Sequence, residues 1–290
     1  MILVTGATGL VGGLVANGLL ARGQSIRLFV RDEQKAQKLF PGDVAEIVRG
    51  DYDGPESLRR AMSGCDSLFL VSADNPRQVQ QEQEAASIAV EQGVTHIVKL
   101  SSSDAGQRPN NWSVAHAAIE EHIRNLGVGF SFLRPHFFMS NYYSLLGRTR
   151  SGNHRLRVSA GNGRITAIDP FDIGECVAEL VANRAPLNDH ALLVGPDDLA
   201  MTQVASIISD ATRVPVEFTD VDHTEYEAEL TAESPGSGQD VADVYQEVRD
   251  GTMVVQSDWV SKILGRQPRS FVDFAQDNKR SLIDALNIQR

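Results

Sequence analysis

Apolar residues in the first half of the chain fall into compact blocks, separated by longer stretches in which they recur every three or four positions. Ile2 to Thr5 is the first block, followed by "SIRLFV", "AEIVRGD", "DSLFLVSA", "THIVKLSSS" and "GFSFLRP". Short apolar runs of this kind, rich in β-branched residues, predict strands. Between them lie segments with helical spacing: the one carrying Val11, Leu14, Val15 and Leu19, then "DEQKAQKLF", "GPESLRRAMSG", "PRQVQQEQEAASIAVEQG" and "VAHAAIEEHIRNLG". Strands that alternate with helices need right-handed crossovers, so the pattern predicts an α/β fold with a doubly wound parallel sheet of the Rossmann type.

Beyond Pro135 the alternation loosens into the mixed segments "ITAIDPFDIGECVAELVAN" and "HALLVGPDDLAMTQVASIISDAT". The acidic stretch "AELTAESPGSGQDVADVYQEVRDG" carries a Ser/Gly/Pro break at its centre and predicts helices around a mobile loop. The expected organisation is a nucleotide-binding domain over residues 1–160. Residues 161–290 then form mainly a smaller C-terminal lobe that covers a substrate, with some strands returning to the sheet.

Composition narrows the partners. Of the 290 residues, 42% are hydrophobic and 22% charged, the balance of an ordinary globular protein. The net charge of −11, without any run of Lys or Arg, argues against nucleic acid and anionic membranes as partners. The two cysteines, Cys65 and Cys176, lie far apart without the neighbours of a metal site, so neither a disulfide framework nor a metal is expected. No basic segment precedes the first apolar run and no long uninterrupted apolar window follows, which fits a cytoplasmic protein.

The chemistry begins in "TGATGLVG", where Gly6, Gly9 and Gly12 stand three apart between the first strand and the first helix. Glycine in such a turn permits positive φ, lets a phosphate approach the bare backbone, and allows close helix-on-strand packing. The free amides at the helix start then form a site for a pyrophosphate. The end of the second strand bears on which dinucleotide would bind. Val30 is followed by Arg31, with Lys35 one helical turn on, and an arginine fork suits a 2′-phosphate. NADP is therefore favoured over NAD. Asp32 would take the ribose role of an NAD site if the strand ran one residue longer, and a separate alternative is that Arg31 is an ordinary surface residue.

The sequence resembles the atypical short-chain dehydrogenase/reductase proteins of the NmrA-like group, close to NAD(P)H quinone reductases and triphenylmethane reductase. The resemblance rests on "TGATGLVG", "VRDEQKA", "GDYD", "SSSDAG", "FSFLRPHFFMSN" and "LGRQPRSFVDFAQDN". It implies that Gly6, Thr8, Gly9 and Gly12, with the amides of Leu10 and Val11, cradle a pyrophosphate. It places Asp51 and Tyr52 by the adenine and Ser72 by the nicotinamide ribose. Ser101 and Pro135, at the ends of their strands, join the cofactor site, and Phe137 and Phe138 line the nicotinamide unless they are plain core residues.

One departure from the dehydrogenase pattern concerns catalysis. The helix that would carry Tyr-x-x-x-Lys has His116 and Glu120 instead. Four residues apart on one helical face, Glu120 could raise the pKa of His116 and keep it a proton donor near neutrality; alternatively the two are a half-exposed helical pair. Ser102 and Ser103 are further candidates as hydrogen-bond donors to a substrate oxygen. The expected activity is NADPH-dependent transfer of hydride to a small, flat, electron-poor acceptor such as a quinone, conjugated cation or imine. Phe138, Met139, Tyr142 and Tyr143 would frame this substrate. The alternative is a redox-sensing regulator that binds NADP(H) without catalysis, with the acidic stretch from Glu225 to Asp250 as its partner surface. Either a monomer or a homodimer is compatible with these readings.

Overall fold

The strand Ile2–Thr5 is buried along its whole length, as the centre of a sheet covered on both faces requires. In the computed structural model, which describes residues 1–148 and 153–287, it is β1 of an alternating series. The series continues with α1 (Leu10–Ala21), β2 (Ile26–Val30), α2 (Glu33–Leu39), β3 (Glu46–Arg49), α3 (Pro55–Met62), β4 (Ser67–Leu70), α4 (Gln78–Glu91), β5 (His96–Leu100), α5 (Asn111–Asn125) and β6 (Gly129–Pro135). There follow β7 (Phe137–Phe138), α6 (Tyr142–Leu145), β8 (Leu146–Arg148), β9 (His154–Val158), β10 (Arg164–Ile168), α7 (Pro170–Asn183) and β11 (Asp189–Leu193). The chain closes with β12 (Asp198–Ala200), α8 (Met201–Thr212), β13 (Val216–Asp220), α9 (His223–Glu233), α10 (Gly238–Arg249), α11 (Trp259–Leu264), α12 (Phe271–Asp277) and α13 (Lys279–Leu286).

Seven strands pair in the order β11-β6-β5-β4-β1-β2-β3, every pair parallel. This is the doubly wound sheet expected from the alternation. The chain runs outward from β1 through β2 to β3, then returns to lay β4 on the other side of β1, with Ile2 beside both Ile26 and Ser67. That reversal leaves a crevice at the carboxyl ends of β1 and β4, the place where open α/β sheets bind ligands. Local chemistry sets the flanking helices. Asp32 caps α2 by accepting from the Lys35 amide at 2.9 Å, and Asn110 caps α5 by accepting from the Ser113 amide at 2.7 Å.

The chain divides into two units, and the division differs from the expected break near residue 160. One unit comprises Met1–Pro135, Pro170–Leu193 and Trp259–Arg266; the other comprises His136–Asp169, Val194–Asp258 and the chain from Gln267 onward. Within the first, α7 buries Ile173, Val177, Leu180 and Val181, and β11 adds the seventh strand beside β6. The packing of α7 on α1 is close: a Cβ added to Gly174 would lie 2.6 Å from Leu14 Cβ, and one added to Gly18 would lie 3.0 Å from Ala178 Cβ. A late segment thus completes an early layer.

The second unit holds two three-stranded sheets, β12-β10-β7 and β13-β9-β8. Its core gathers Tyr142, Leu156, Ile165, Met201, Ile208, Tyr245 and Phe271. The acidic stretch forms α9 and α10. The break between them is a tight turn, closed by hydrogen bonds from the amides of Ser237 and Gly238 to the Ser234 carbonyl, at 3.1 and 2.8 Å. Gly238 faces the Leu230 backbone so closely that its missing Cβ would lie 2.4 Å away, so only glycine allows this approach.

Candidate functional site

The crevice is a cleft of about 670 Å³, within the range of small-ligand and cofactor sites. The glycine turn lies in its middle, and the three glycines have separate physical reasons. Gly6 has φ +62°, a conformation favouring glycine, and a Cβ there would also lie 2.8 Å from a Val71 methyl. Gly12 packs against the turn itself, since a Cβ would lie 2.1 Å from the Gly6 carbonyl oxygen. Gly9 is different: a Cβ would meet only that oxygen, at 3.3 Å, and would otherwise project into the cleft it lines. Gly9 is also the N-cap of α1 and offers no side chain to the first-turn amides. The amides of Leu10, Val11 and Gly12 therefore stand at the positive end of the helix beside bare backbone.

A buried side chain that the sequence reading did not single out shapes this turn. Thr5, at the end of β1, donates to the carbonyl of Phe69 at 2.9 Å or of Val71 at 3.0 Å, and accepts from the Val71 amide at 2.9 Å. It clips the ends of β1 and β4 together at the switch point. Tyr52 reinforces the same spot by donating to the Val71 carbonyl at 2.9 Å, and its ring sets its edge against Phe29. Burial, aided by the charge of Glu82, pushes the Tyr52 phenol well above its usual range, so it stays a neutral donor.

At one end of the cleft Arg31 and Lys35 line the wall with Asp51 and Tyr52. The second strand ends at Val30, and one oxygen of the Asp32 carboxylate caps α2. Arg31 is exposed at the cleft wall, so its guanidinium is open to a ligand at this end. Across the glycine turn, Val71, Ser72, Ala73 and Leu100 form the opposite end. Arg31 follows β2 and Leu100 ends β5, three strand spacings away. The cleft therefore reaches across roughly 14 Å of sheet edge.

The expected acid chemistry of His116 is overturned. Glu120 does not pair with it; Arg134 grips that carboxylate at both oxygens, at 2.9 and 2.6 Å, and Ser101 and Arg124 add bonds of 2.6 and 2.9 Å. Burial pushes the Glu120 carboxyl up, but these donors outweigh it and the net shift is downward. His116 is nine-tenths buried, and its Nδ1 has no hydrogen-bond partner among the described residues. Burial, with Lys99 and Arg134 nearby, drives its pKa down to about 2. It is a neutral imidazole at physiological pH, neither a proton donor nor a half-exposed partner of Glu120.

Ser102 is corrected as well, because its hydroxyl proton goes to Asp104. Met139 and Tyr142 are each 1% exposed inside the core of the second unit, where Tyr142 stacks its edge on Phe271. They are core residues there rather than surfaces for a substrate. Phe137 and Phe138 form β7 and are half-buried, with Phe137 against Tyr142 and Tyr245.

Another feature the sequence reading passed over is Lys99, in the fully buried strand β5, whose Nζ lies 2.8 Å from Glu82 Oε2 on α4. Charges placed where both faces of a strand are covered were the available signal. Among the described residues no helix is long and apolar enough to cross a membrane, and no group of three or more His, Cys, Asp or Glu is placed to hold a metal ion.

A parallel sheet wound 3-2-1-4-5-6, a glycine turn at its switch point and a fifth helix without the Tyr-x-x-x-Lys pair define an atypical short-chain dehydrogenase/reductase. The model of the NmrA-like family matches residues 1–254, and the chain belongs to that family. Among its relatives are the NAD(P)H azoreductase of Xenophilus azovorans, 27% identical over 95% of this chain and 97% of that protein, and a furanone-phosphate reductase, (4-alkanoyl-5-oxo-2,5-dihydrofuran-3-yl)methyl phosphate reductase of Streptomyces griseus, 29% identical over 96% and 98%. An NADPH-dependent quinone oxidoreductase of Escherichia coli, solved with NADPH, shares the fold with a TM-score of 0.82 at 22% identity, over 96% of this chain and 99% of that one.

Proposed function

We propose that this protein is an NAD(P)H-dependent reductase that prefers NADPH and passes hydride to a small, flat, electron-poor acceptor. The observation that carries this reading is the cleft itself: bare backbone at Gly9 and uncapped amides at Leu10 to Gly12, with Arg31 and Lys35 at one end and Asp32 capping a helix. A pyrophosphate fits the amides, and a 2′-phosphate fits the guanidinium. The relatives named as reductases of azo and furanone compounds support the same class of chemistry.

A nicotinamide dinucleotide supplies the hydride when bound. The chain's own contribution is to hold and orient it: Leu10, Val11 and Gly12 through their amides, Arg31 and Lys35 through charge, and Asp51 and Tyr52 as the wall beside the adenine. His116 stays neutral and Ser102 is committed to Asp104, so neither supplies a proton. The reading therefore favours acceptors whose reduced form takes its proton from water, as a quinone does, or needs none, as a conjugated cation does.

The test is consumption of NADPH and of NADH, followed by absorbance, against a panel of quinones, triarylmethane dyes, azo dyes and cyclic imines. Turnover with at least one class, faster with NADPH and slowed by deuterium at C4, is expected. Tight NADPH binding with no turnover across the panel would replace the reductase with the redox-sensing regulator.

A further inference from the structure

The hydroxyl of Ser72 stands at the end of the cleft remote from Arg31, and a pair of buried charges decides which way its proton points. Glu82 and Lys99 are both wholly shut off from solvent, with Glu82 Oε2 and Lys99 Nζ 2.8 Å apart. The other carboxylate oxygen, Oε1, accepts from Ser72 Oγ at 2.7 Å and from the Ser72 amide at 3.1 Å. Lys99 donates its hydrogen bond to the carbonyl of Leu100, a residue that lines the same end of the cleft. A dry ion pair of this kind seldom stabilises a fold better than an apolar pair of the same volume would. Its position under the cleft suggests what it does instead.

A serine hydroxyl has one proton and two lone pairs. With its proton drawn inward to Glu82, Ser72 can only accept from a group in the cleft. We infer that Glu82 and Lys99 are positioning residues that hold Ser72 as a one-way acceptor for a hydrogen-bond donor on the half of the ligand remote from Arg31. Under the dinucleotide reading above, on which this inference rests, that donor is a hydroxyl of the nicotinamide ribose. Glu82 receives both polar groups of Ser72, and Lys99 supplies the counter-charge that lets a carboxylate sit there at all.

Glu82→Gln keeps the shape but not the polarity. The Ser72 amide and Lys99 both offer only donors, but the buried ammonium makes the stronger claim on the single amide oxygen, so the NH₂ faces Ser72, whose proton is released toward the cleft. The experiment titrates NADPH and adenosine 2′,5′-bisphosphate, which fills only the Arg31 half, into wild type, Ser72→Ala, Glu82→Gln and the Ser72→Ala/Glu82→Gln double variant. Circular dichroism monitors the fold. Ser72→Ala and Glu82→Gln are each expected to weaken NADPH by about three- to tenfold, the size of one net hydrogen bond. Their combination should lose no more than either alone, and the bisphosphate should bind all four proteins equally. The charge-free pair Glu82→Leu/Lys99→Met, which leaves Ser72 no inward side-chain acceptor at position 82, carries the same expectation if the single Glu82 variant fails to fold.

Unchanged NADPH affinity in folded Glu82→Gln, an equal loss for both ligands, or a loss that adds to that of Ser72→Ala would overturn the inference while leaving the dinucleotide reading intact. A wild type that binds neither ligand would overturn that reading, and the inference with it.

Discussion

A Cβ at Gly9 would approach the Gly6 carbonyl to 3.3 Å and otherwise enter open cleft, whereas one at Gly12 would lie 2.1 Å from the same oxygen. The two positions should therefore respond differently to substitution. Gly9→Val is expected to abolish dinucleotide binding in a protein whose circular dichroism is that of wild type, because its side chain fills the approach path of the phosphate. Normal affinity in the folded variant would remove the phosphate site from this turn. Arg31→Ala should lower the preference for NADPH over NADH by about tenfold, as calorimetry of both cofactors would show. Hydrogen bonds to charged groups contribute about 1.5–3 kcal/mol, and the exposure of Arg31 places it at the lower end. An unchanged preference would mean that another group reads the 2′-phosphate. The N-terminal glycines and Arg31 were legible in the sequence because turn chemistry and the end of a strand are local properties. His116 was not, since its state depends on Lys99 of β5 and Arg134 of β6 as well as on its own helix.

At the scale of elements, the site depends on how α1 is held, because its first turn supplies the amides. Gly174 lets α7 lie against α1 with no room for a side chain: an added Cβ would lie 2.6 Å from Leu14 Cβ and 3.2 Å from the Leu14 carbonyl carbon. Gly174→Val should therefore overpack the crossing, at a cost of about 1–3 kcal/mol. Calorimetry should show Tm lowered by about 2–10 °C. Melting like wild type would mean that the helices separate freely there. Strand and helix order was evident from periodicity, yet the partnership of α1 with α7 was not. The helices are more than 150 positions apart in the chain, and only the sheet brings them together.

At the scale of the whole molecule, two buried histidines link stability to pH. Burial lowers His96 to about 4; burial, with Lys99 and Arg134, lowers His116 to about 2. In the unfolded chain both imidazoles take up a proton as pH falls through about 6.5, while the folded protein leaves them neutral. The unfolded state thus binds more protons below pH 6.5, and the fold loses stability as pH falls. Each histidine contributes up to about 1.4 kcal/mol per pH unit, with the His96 share ending near pH 4 and the His116 share continuing toward pH 2. Urea titrations between pH 6.5 and 4.5 should show the midpoint falling, and His116→Asn should remove about half of the histidine-dependent part of that slope. A midpoint with the same pH dependence in the variant would mean that His116 titrates alike in both states.

The sequence by itself determined the α/β alternation, the doubly wound sheet, the glycine turn before the first helix, and an arginine at the end of the second strand. Each is written in a local period or in the conformational needs of a few adjacent residues. Only the tertiary structure decided that Thr5 clips β1 to β4, that Asp32 caps α2, and that Glu120 belongs to Arg134 rather than to His116. It also decided that Glu82 and Lys99 meet beneath Ser72, and that α7 packs on α1 in the first unit. The protonation and hydrogen-bond polarity of a buried group depend on which distant elements exclude water from it and which charges they bring close. Neither is a property of neighbouring positions in the chain.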